Sequence, residues 1–370
     1  MFVARDLGAI ARAVVESHRA SPAAVVAAAA REGDAWTLGA GAAGALTYDA
    51  DALPAAIDTP FDLASVTKSV VALAFARLER AGVTSRGERL ADALPELAGT
   101  RSADVPLDLL LAHRGGLDAH RTLFAPLLEG RAVDRAAALV EAADARRDGC
   151  EGAPPGDGFA PVYSDLGYLL VGEAMRARAG LDLDEIVARE VSAPLGLTLA
   201  SARQWERDRP DRFARVAPTE LAPFRGGVVR GRVHDENAFA LVDGASAGHA
   251  GLFGDALDVA RLGAAILDAL AGRSAWLSAE ELAPLVRARP GGSHRAGFDG
   301  KSGASPSAGA RFGPRTFGHL GFTGTSLWMD PDAELAGVLL TNRVHPTRDH
   351  VAIRAARPAV YDALFAAMRG

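Results

Sequence analysis

The chain has 370 residues, 49% of them hydrophobic and 23% charged, with a formal net charge of -6. That balance fits a soluble globular protein of one large domain or two intertwined ones, and a mildly acidic surface without a basic run argues against nucleic acid as a partner. Cys150 stands alone, which excludes an internal disulfide and a cysteine zinc site, and no apolar run reaches the ~18 residues a membrane span requires.

The first residues hold Asp6 and Glu16 within an amphipathic pattern, not a basic stretch before an apolar core. The expectation is a cytoplasmic protein with no export signal. Leu7, Ile10, Ala11, Val14 and Val15 recur at helical spacing, so residues 3–20 are predicted to form a helix. Strands are expected at 23–30 and 35–40, joined by a hairpin at Glu32-Gly33-Asp34. Residues 44–60 are turn-rich. Helices are predicted over 66–81, 106–113, 133–146, 165–179, 182–190, 255–271 and 278–288, with an irregular loop at 149–161.

The Gly/Ser/Pro/Arg stretch 290–316 reads as a mobile surface loop. Strands return at 317–322, 325–330 and 335–342. The last helix, from about 349 to 368, is expected to start afresh at Pro358 and to stack Val360, Tyr361, Leu364, Phe365 and Met368 on one face. Strands at both ends and helices between predict an α+β fold, with an antiparallel sheet built from both termini and a helical domain inserted in it. The expected division is 1–62 with 316–370 for the sheet domain and 63–315 for the helical one.

Within the segment Phe61–Ala76, Pro60 and Asp62 give a helix start and Gly82 after Arg80 a stop. Ser65 and Lys68 sit three residues apart in the first turn, which places both side chains on one face. A serine hydroxyl becomes a nucleophile when a neighbouring base takes its proton, and burial lowers a lysine pKa toward that role. The free N–H groups of a helix start favour the negative charge that develops in acyl transfer. Of the 40 Lys+Arg residues only Lys68 and Lys301 are lysines. Arginine cannot give up its proton, so a position needing a titratable amine must remain lysine. The plainer reading is a helix-start serine with a lysine that reaches solvent along its own stem.

Other residues carry chemistry too. Tyr163-Ser164-Asp165 opens a helix, where Tyr163 presents a phenol to a pocket or packs in the core while Asp165 caps the helix. The run His319–Ser326 follows a strand edge whose glycines permit close approach to a ligand. Three patterns compete with these. Gly244-Ala245-Ser246-Ala247-Gly248 fits the Gly-x-Ser-x-Gly elbow of α/β-hydrolases, which requires a strand–turn–helix setting. Gly300-Lys301-Ser302 resembles the end of a phosphate loop but lacks its first glycine. His234, Asp235 and His249 lack a ligand pair at helical spacing and read as structural contacts rather than a metal site.

Together these residues resemble the serine β-lactamases and penicillin-binding DD-peptidases, nearest the class C group and its esterase relatives. Ser65-Val66-Thr67-Lys68 resembles Ser-x-x-Lys, Tyr163-Ser164-Asp165 resembles Tyr-x-Asn, and His319-Leu320-Gly321 resembles Lys-Thr-Gly. Supporting stretches are Leu110–Leu117, Tyr163–Gly172, Ala247–Phe253 and Phe317–Pro331, and the likeness covers about 20–365. The resemblance implies a β-lactamase/transpeptidase-like fold and an acyl-serine mechanism on a small-molecule ester or amide, with no metal or cofactor. By that resemblance Ser65 attacks, Lys68 and Tyr163 move the proton, and the oxyanion hole is made by the backbone N–H groups of Ser65 and Phe322. Asp165, His319 and Gly321 would face the substrate.

Two departures bear on substrate. His319 and Leu320 stand where the family's β-lactam-binding members hold a carboxylate with lysine and threonine. Asp165 replaces an amide with a charge that favours a protonated Lys68 and would repel an anionic substrate. The expectation is therefore esters over β-lactams. An idle ligand sensor of the same family and an α/β-hydrolase using Ser246 are the alternatives, and the number of subunits is left open.

Overall fold

Strands from both ends of the chain meet in one seven-stranded sheet. The structure, a computed structural model, describes residues 3–304 and 306–370. The N-terminal part contributes β1 (Val3–Asp6), β2 (Ala23–Glu32) and β3 (Ala35–Gly44). The C-terminal part contributes β4 (Asp299–Gly300), β5 (Phe317–Leu320), β6 (Ser326–Asp330) and β7 (Leu335–Thr341). The order is β1-β3-β2-β7-β6-β5-β4, antiparallel throughout except for the β1–β3 pair. With its helices this is the mixed, β-lactamase/transpeptidase-like architecture expected from the sequence.

β2 runs apolar from Ala23 to Ala30 because helices cover both sheet faces. Its odd-numbered residues join the core beneath the helix Ala256–Leu270, and its even-numbered residues join a second core beneath the N- and C-terminal helices. Small residues let these layers close up: a Cβ on Gly263 would stand 2.6 Å from Ala336 Cβ.

Predicted helices recur with trimmed ends as Thr67–Arg80, Leu107–Leu111, Arg135–Asp144, Asp165–Ala179, Leu183–Val187, Ala256–Leu270 and Ala279–Val286. Three expectations need correction. Residues 3–20 are not one helix: β1 pairs with the free edge of β3, and the helix begins at Gly8, whose N–H is taken by the Asp6 carboxylate at 2.8 Å. The amphipathic spacing persists, since Leu7, Ala11 and Val14 still share one core. The C-terminal helix, Ile353–Arg369, runs unbroken through Pro358. Proline there removes only the bond to the Arg354 carbonyl, on the exposed side of the helix.

The stretch 290–316, apart from Ser305, which lies outside the described residues, is not a loose surface loop. Phe298 and Phe312 are buried edge-on against Phe317 and Tyr361. Its glycines serve close packing: a Cβ on Gly297 (φ +93) would lie 2.3 Å from Ala72 Cβ. Gly297 O also accepts a hydrogen bond from Ser69 Oγ at 2.6 Å. Composition hid two aromatic anchors. Among the described residues no helix is long and apolar enough to cross a membrane.

Candidate active site

The segment before Ser65 is fixed by a small sheet. Phe61–Asp62 pairs with Leu252–Gly254, and Leu63 N–H donates to Leu252 O at 2.9 Å. The chain then turns through Ala64, whose φ of 47 lies in the left-handed region, before a short 3-10 turn (Ala64–Val66) leads into the helix Thr67–Arg80. An alanine there costs about 1–2 kcal/mol, so the surroundings must hold it. Buried Asp62 does so, with one carboxylate oxygen accepting from Ala64 N–H at 2.8 Å and the other from His234 N–H at 2.6 Å. Ser65 thus stands in a strained turn just ahead of the α-helix rather than in its first α-turn.

Lys68 does not reach solvent. It is 0% exposed, and its three ammonium protons meet three acceptors: Ser65 Oγ at 2.9 Å, Asp165 Oδ1 at 2.7 Å and His249 O at 3.0 Å. Burial draws its pKa down, but the Asp165 carboxylate and Tyr163 outweigh that and leave it pushed up to about 12. Burial likewise opposes the charge on Asp165, and the Lys68 ammonium overcomes it, holding that carboxyl below the usual range. At neutral pH the two are a closed ion pair.

Tyr163 comes from the turn before the helix Asp165–Ala179. The cap of that helix is Ser164, whose Oγ accepts from Gly167 N–H at 3.3 Å, and not Asp165. This frees the Asp165 carboxylate for Lys68. The Tyr163 ring centroid is 4.9 Å from Lys68 Nζ, and burial pushes the phenol pKa up against the pull of Lys68. Three imidazoles surround the ring, those of His113, His294 and His319, at centroid distances of 4.7, 5.6 and 5.9 Å. His113 Nδ1 accepts the Ser164 N–H at 3.0 Å, which fixes the turn carrying Tyr163. His319 Nδ1 hydrogen-bonds Leu320 O at 2.8 Å, and burial takes its pKa down to about 3, so it is neutral with Nε2 free to accept.

Beyond β5 the chain forms the loop 321–325. Thr323 Oγ1 donates to Asp62 O at 2.8 Å and Thr325 Oγ1 to Leu63 O at 2.9 Å, which lashes this loop to the turn that carries Ser65. Among the described residues no acceptor takes the N–H of Phe322 or of Ser65. Gly321 is required for the fit. A Cβ there would sit 1.9 Å from Thr325 Oγ1 and 2.6 Å from Leu63 O. Gly321→Ala is therefore expected to lower stability by about 1–3 kcal/mol in urea denaturation, and an unchanged midpoint would mean the loop gives way freely.

One cavity of about 520 Å³ gathers Ser65, Tyr163, Asp165, His319, Gly321 and Phe322, with Lys68 buried behind it. The residues singled out in sequence therefore meet in one place. Sequence reading missed Asp62 as a brace, His113, the two loop threonines, and four arginines on the cavity wall (Arg343, Arg348, Arg354 and Arg357). The spacing Thr323-x-Thr325 beside the glycines was the one visible hint of the lashing.

The competing patterns lie elsewhere or do other work. Ser246 follows the helix Glu236–Val242 and precedes a strand, the reverse of an elbow, and its buried hydroxyl donates to Asp184 Oδ1 at 2.5 Å. The α/β-hydrolase alternative fails on that topology. Lys301 Nζ donates to Ala310 O at 3.1 Å and to Phe312 O, tying its own loop. His234 pairs with Glu220 and His249 with Asp235, two separate contacts.

The family model described as Beta-lactamase matches residues 10–361. The chain belongs to that family. The chain is 34% identical over 199 residues to N-acetylmuramyl-L-alanine amidase of Bacillus subtilis, covering 50% of this chain and 44% of that protein. It is 29% identical over 314 residues to a putative D-alanyl-D-alanine carboxypeptidase of Escherichia coli, covering 78% of this chain and 70% of that protein. The match thus spans less than half the length of the amidase. A mutant simvastatin synthase of Aspergillus terreus shares the fold, with a TM-score of 0.71 at 21% identity over 98% of this chain and 96% of that one.

Proposed function

We propose that the protein hydrolyses a small ester or amide through an acyl intermediate on Ser65. The observation that carries this reading is the 2.9 Å contact between Lys68 Nζ and Ser65 Oγ at the wall of a cavity that also holds Tyr163. Ser65 Oγ attacks the substrate carbonyl. Its proton passes to Lys68 as Lys68 releases one to Asp165 Oδ1, the anionic member of the group. Asp165 then returns its proton to Lys68, which hands one to the facing Tyr163 as that phenol gives its own to the leaving oxygen or nitrogen. The free N–H groups of Ser65 and Phe322 receive the carbonyl oxygen as it becomes an oxyanion. Water then attacks the acyl group over the same relay run in reverse and restores Ser65. Relatives named as an amidase and a carboxypeptidase support amides as well as esters as substrates.

The test is labelling with a fluorophosphonate together with hydrolysis of p-nitrophenyl acetate. A single adduct on Ser65, with labelling and turnover both absent in Ser65→Ala, is the expected result. Turnover that survives Ser65→Ala, or a folded wild type that takes no label, would overturn the assignment and favour the idle sensor.

A further inference from the structure

Residues 293–300 form a hairpin, its arms joined by Gly300 N–H to Ser293 O at 2.9 Å and Arg295 N–H to Phe298 O at 2.8 Å. The tip is clamped near the helix that carries Lys68: buried Phe298 packs on Phe317, and Gly297 O takes the Ser69 hydroxyl at 2.6 Å. On this anchored hairpin His294 and Asp299 stand opposite each other, each side chain 27% exposed. Both line the cavity that holds Ser65.

The three imidazoles around the Tyr163 ring differ in what they can do with a proton. His113 and His319 are buried, and each has Nδ1 committed to the backbone, at Ser164 N–H and at Leu320 O. Burial keeps both in the neutral form. His294 is the one beside a carboxylate. Asp299 Oδ1 lies 3.6 Å from its Nδ1, and that oxygen is itself held by the Gly300 N–H at 2.9 Å. Nε2 is thereby left for the cavity side, with the Tyr163 ring centroid 5.6 Å from that of His294. A carboxylate behind an imidazole fixes its tautomer and stabilises the imidazolium, and such contacts are often long until the reacting complex forms.

We propose that His294, backed by Asp299, is a further catalytic residue, the general base that takes a proton from the water that hydrolyses the acyl enzyme. This rests on the acyl-serine reading above and deepens it: His294 is where the reversed relay meets the water. His294 Nε2 takes one proton as the water oxygen bonds to the acyl carbon. The bond between that carbon and Ser65 Oγ then breaks, and Ser65 Oγ takes a proton from Lys68. Tyr163 gives its phenol proton to Lys68 and receives the one held by His294. All four side chains are restored, and the acyl group leaves as the free acid.

The experiment is stopped-flow hydrolysis of p-nitrophenyl acetate by the wild type and His294→Gln. Acylation should be untouched and deacylation slowed. The variant is expected to release a burst of about one p-nitrophenol per active site and then turn over with kcat at least about 10-fold below wild type. KM should fall in step, leaving kcat/KM within about 3-fold of wild type. Acetyl should accumulate on Ser65 of the variant, read by mass spectrometry of the quenched protein. Asp299→Asn is expected to give the same pattern with a smaller loss, and it decides the matter if His294→Gln does not fold. A structural disturbance lowers kcat and kcat/KM together without a burst; that result, or an unchanged kcat, overturns the assignment. Ser65→Ala separates the two readings. Turnover lost in Ser65→Ala but unchanged in His294→Gln leaves the acyl-serine reading standing and sinks the role of His294. Turnover that survives Ser65→Ala sinks both.

Discussion

Replacing Lys68 by arginine is expected to lower kcat/KM about 10²–10⁴-fold, although the positive charge is kept. Lys68 is enclosed, with Ser65, Asp165 and His249 each holding one ammonium proton. The proposed relay needs a group that takes a proton from Ser65 while passing one to Asp165, and a guanidinium that never titrates cannot do so. The comparison is steady-state hydrolysis of p-nitrophenyl acetate by both proteins, with circular dichroism to show that the variant is folded. A folded Lys68→Met protein, which removes the amine without added bulk, should show the same loss. Near-wild-type turnover in folded Lys68→Arg would refute proton transfer through this residue.

The second large effect is expected from Asp165→Asn, in both stability and pH dependence. Removing one partner of a buried ion pair leaves the other uncompensated, at about 3–5 kcal/mol. The Asp165 pKa is depressed from 3.8, so its contribution is complete above that value and is lost as pH falls below it. The Lys68 pKa is raised from 10.5 to about 12, so its contribution is complete below 10.5 and is lost as pH climbs through about 12. The variant should therefore be less stable than wild type across the span between those limits, with the gap closing on acidification below 3.8. Urea denaturation at pH 7 and at pH 3 reads this directly, and equal stability at pH 7 would dismiss the pair as a stabilising contact. Without the carboxylate, burial draws the Lys68 pKa down from its wild-type value, opposed by Tyr163. The pH–rate profile of the variant should show its alkaline rise at lower pH than the wild type.

Much of this was legible in the chain itself. The extreme apolarity of Val70–Ala76 announces a helix enclosed by the core, and period-two and period-3.6 patterns place most strands and helices within a few residues. The scarcity of lysine singles out Lys68, and three short motifs in order bring Ser65, Tyr163 and His319 to notice. Such features are local. They depend on which side chains follow one another along a helix or strand, and that is what periodicity and spacing report.

Other features depend on groups far apart in sequence. The sequence reading already set the Asp165 charge beside Lys68, 97 residues away; packing adds that the ammonium is fully enclosed and divides its protons among Asp165, Ser65 and the His249 carbonyl. Composition made 290–316 look loose, because the aromatic anchors Phe298 and Phe312 find their partners at Phe317 and Tyr361 only in the folded chain. The arginines of the cavity wall carry no distinguishing signal in a chain rich in arginine. The fold buries Arg343 and Arg357 against the loop 321–325, and among the described residues neither pairs with a carboxylate. The sequence by itself thus determined most of the elements and the candidate pair Ser65 and Lys68, since both follow from near neighbours along the chain. Tertiary structure alone decided which charges lie against one another and how deeply they are enclosed, because that depends on distance and burial across the whole molecule.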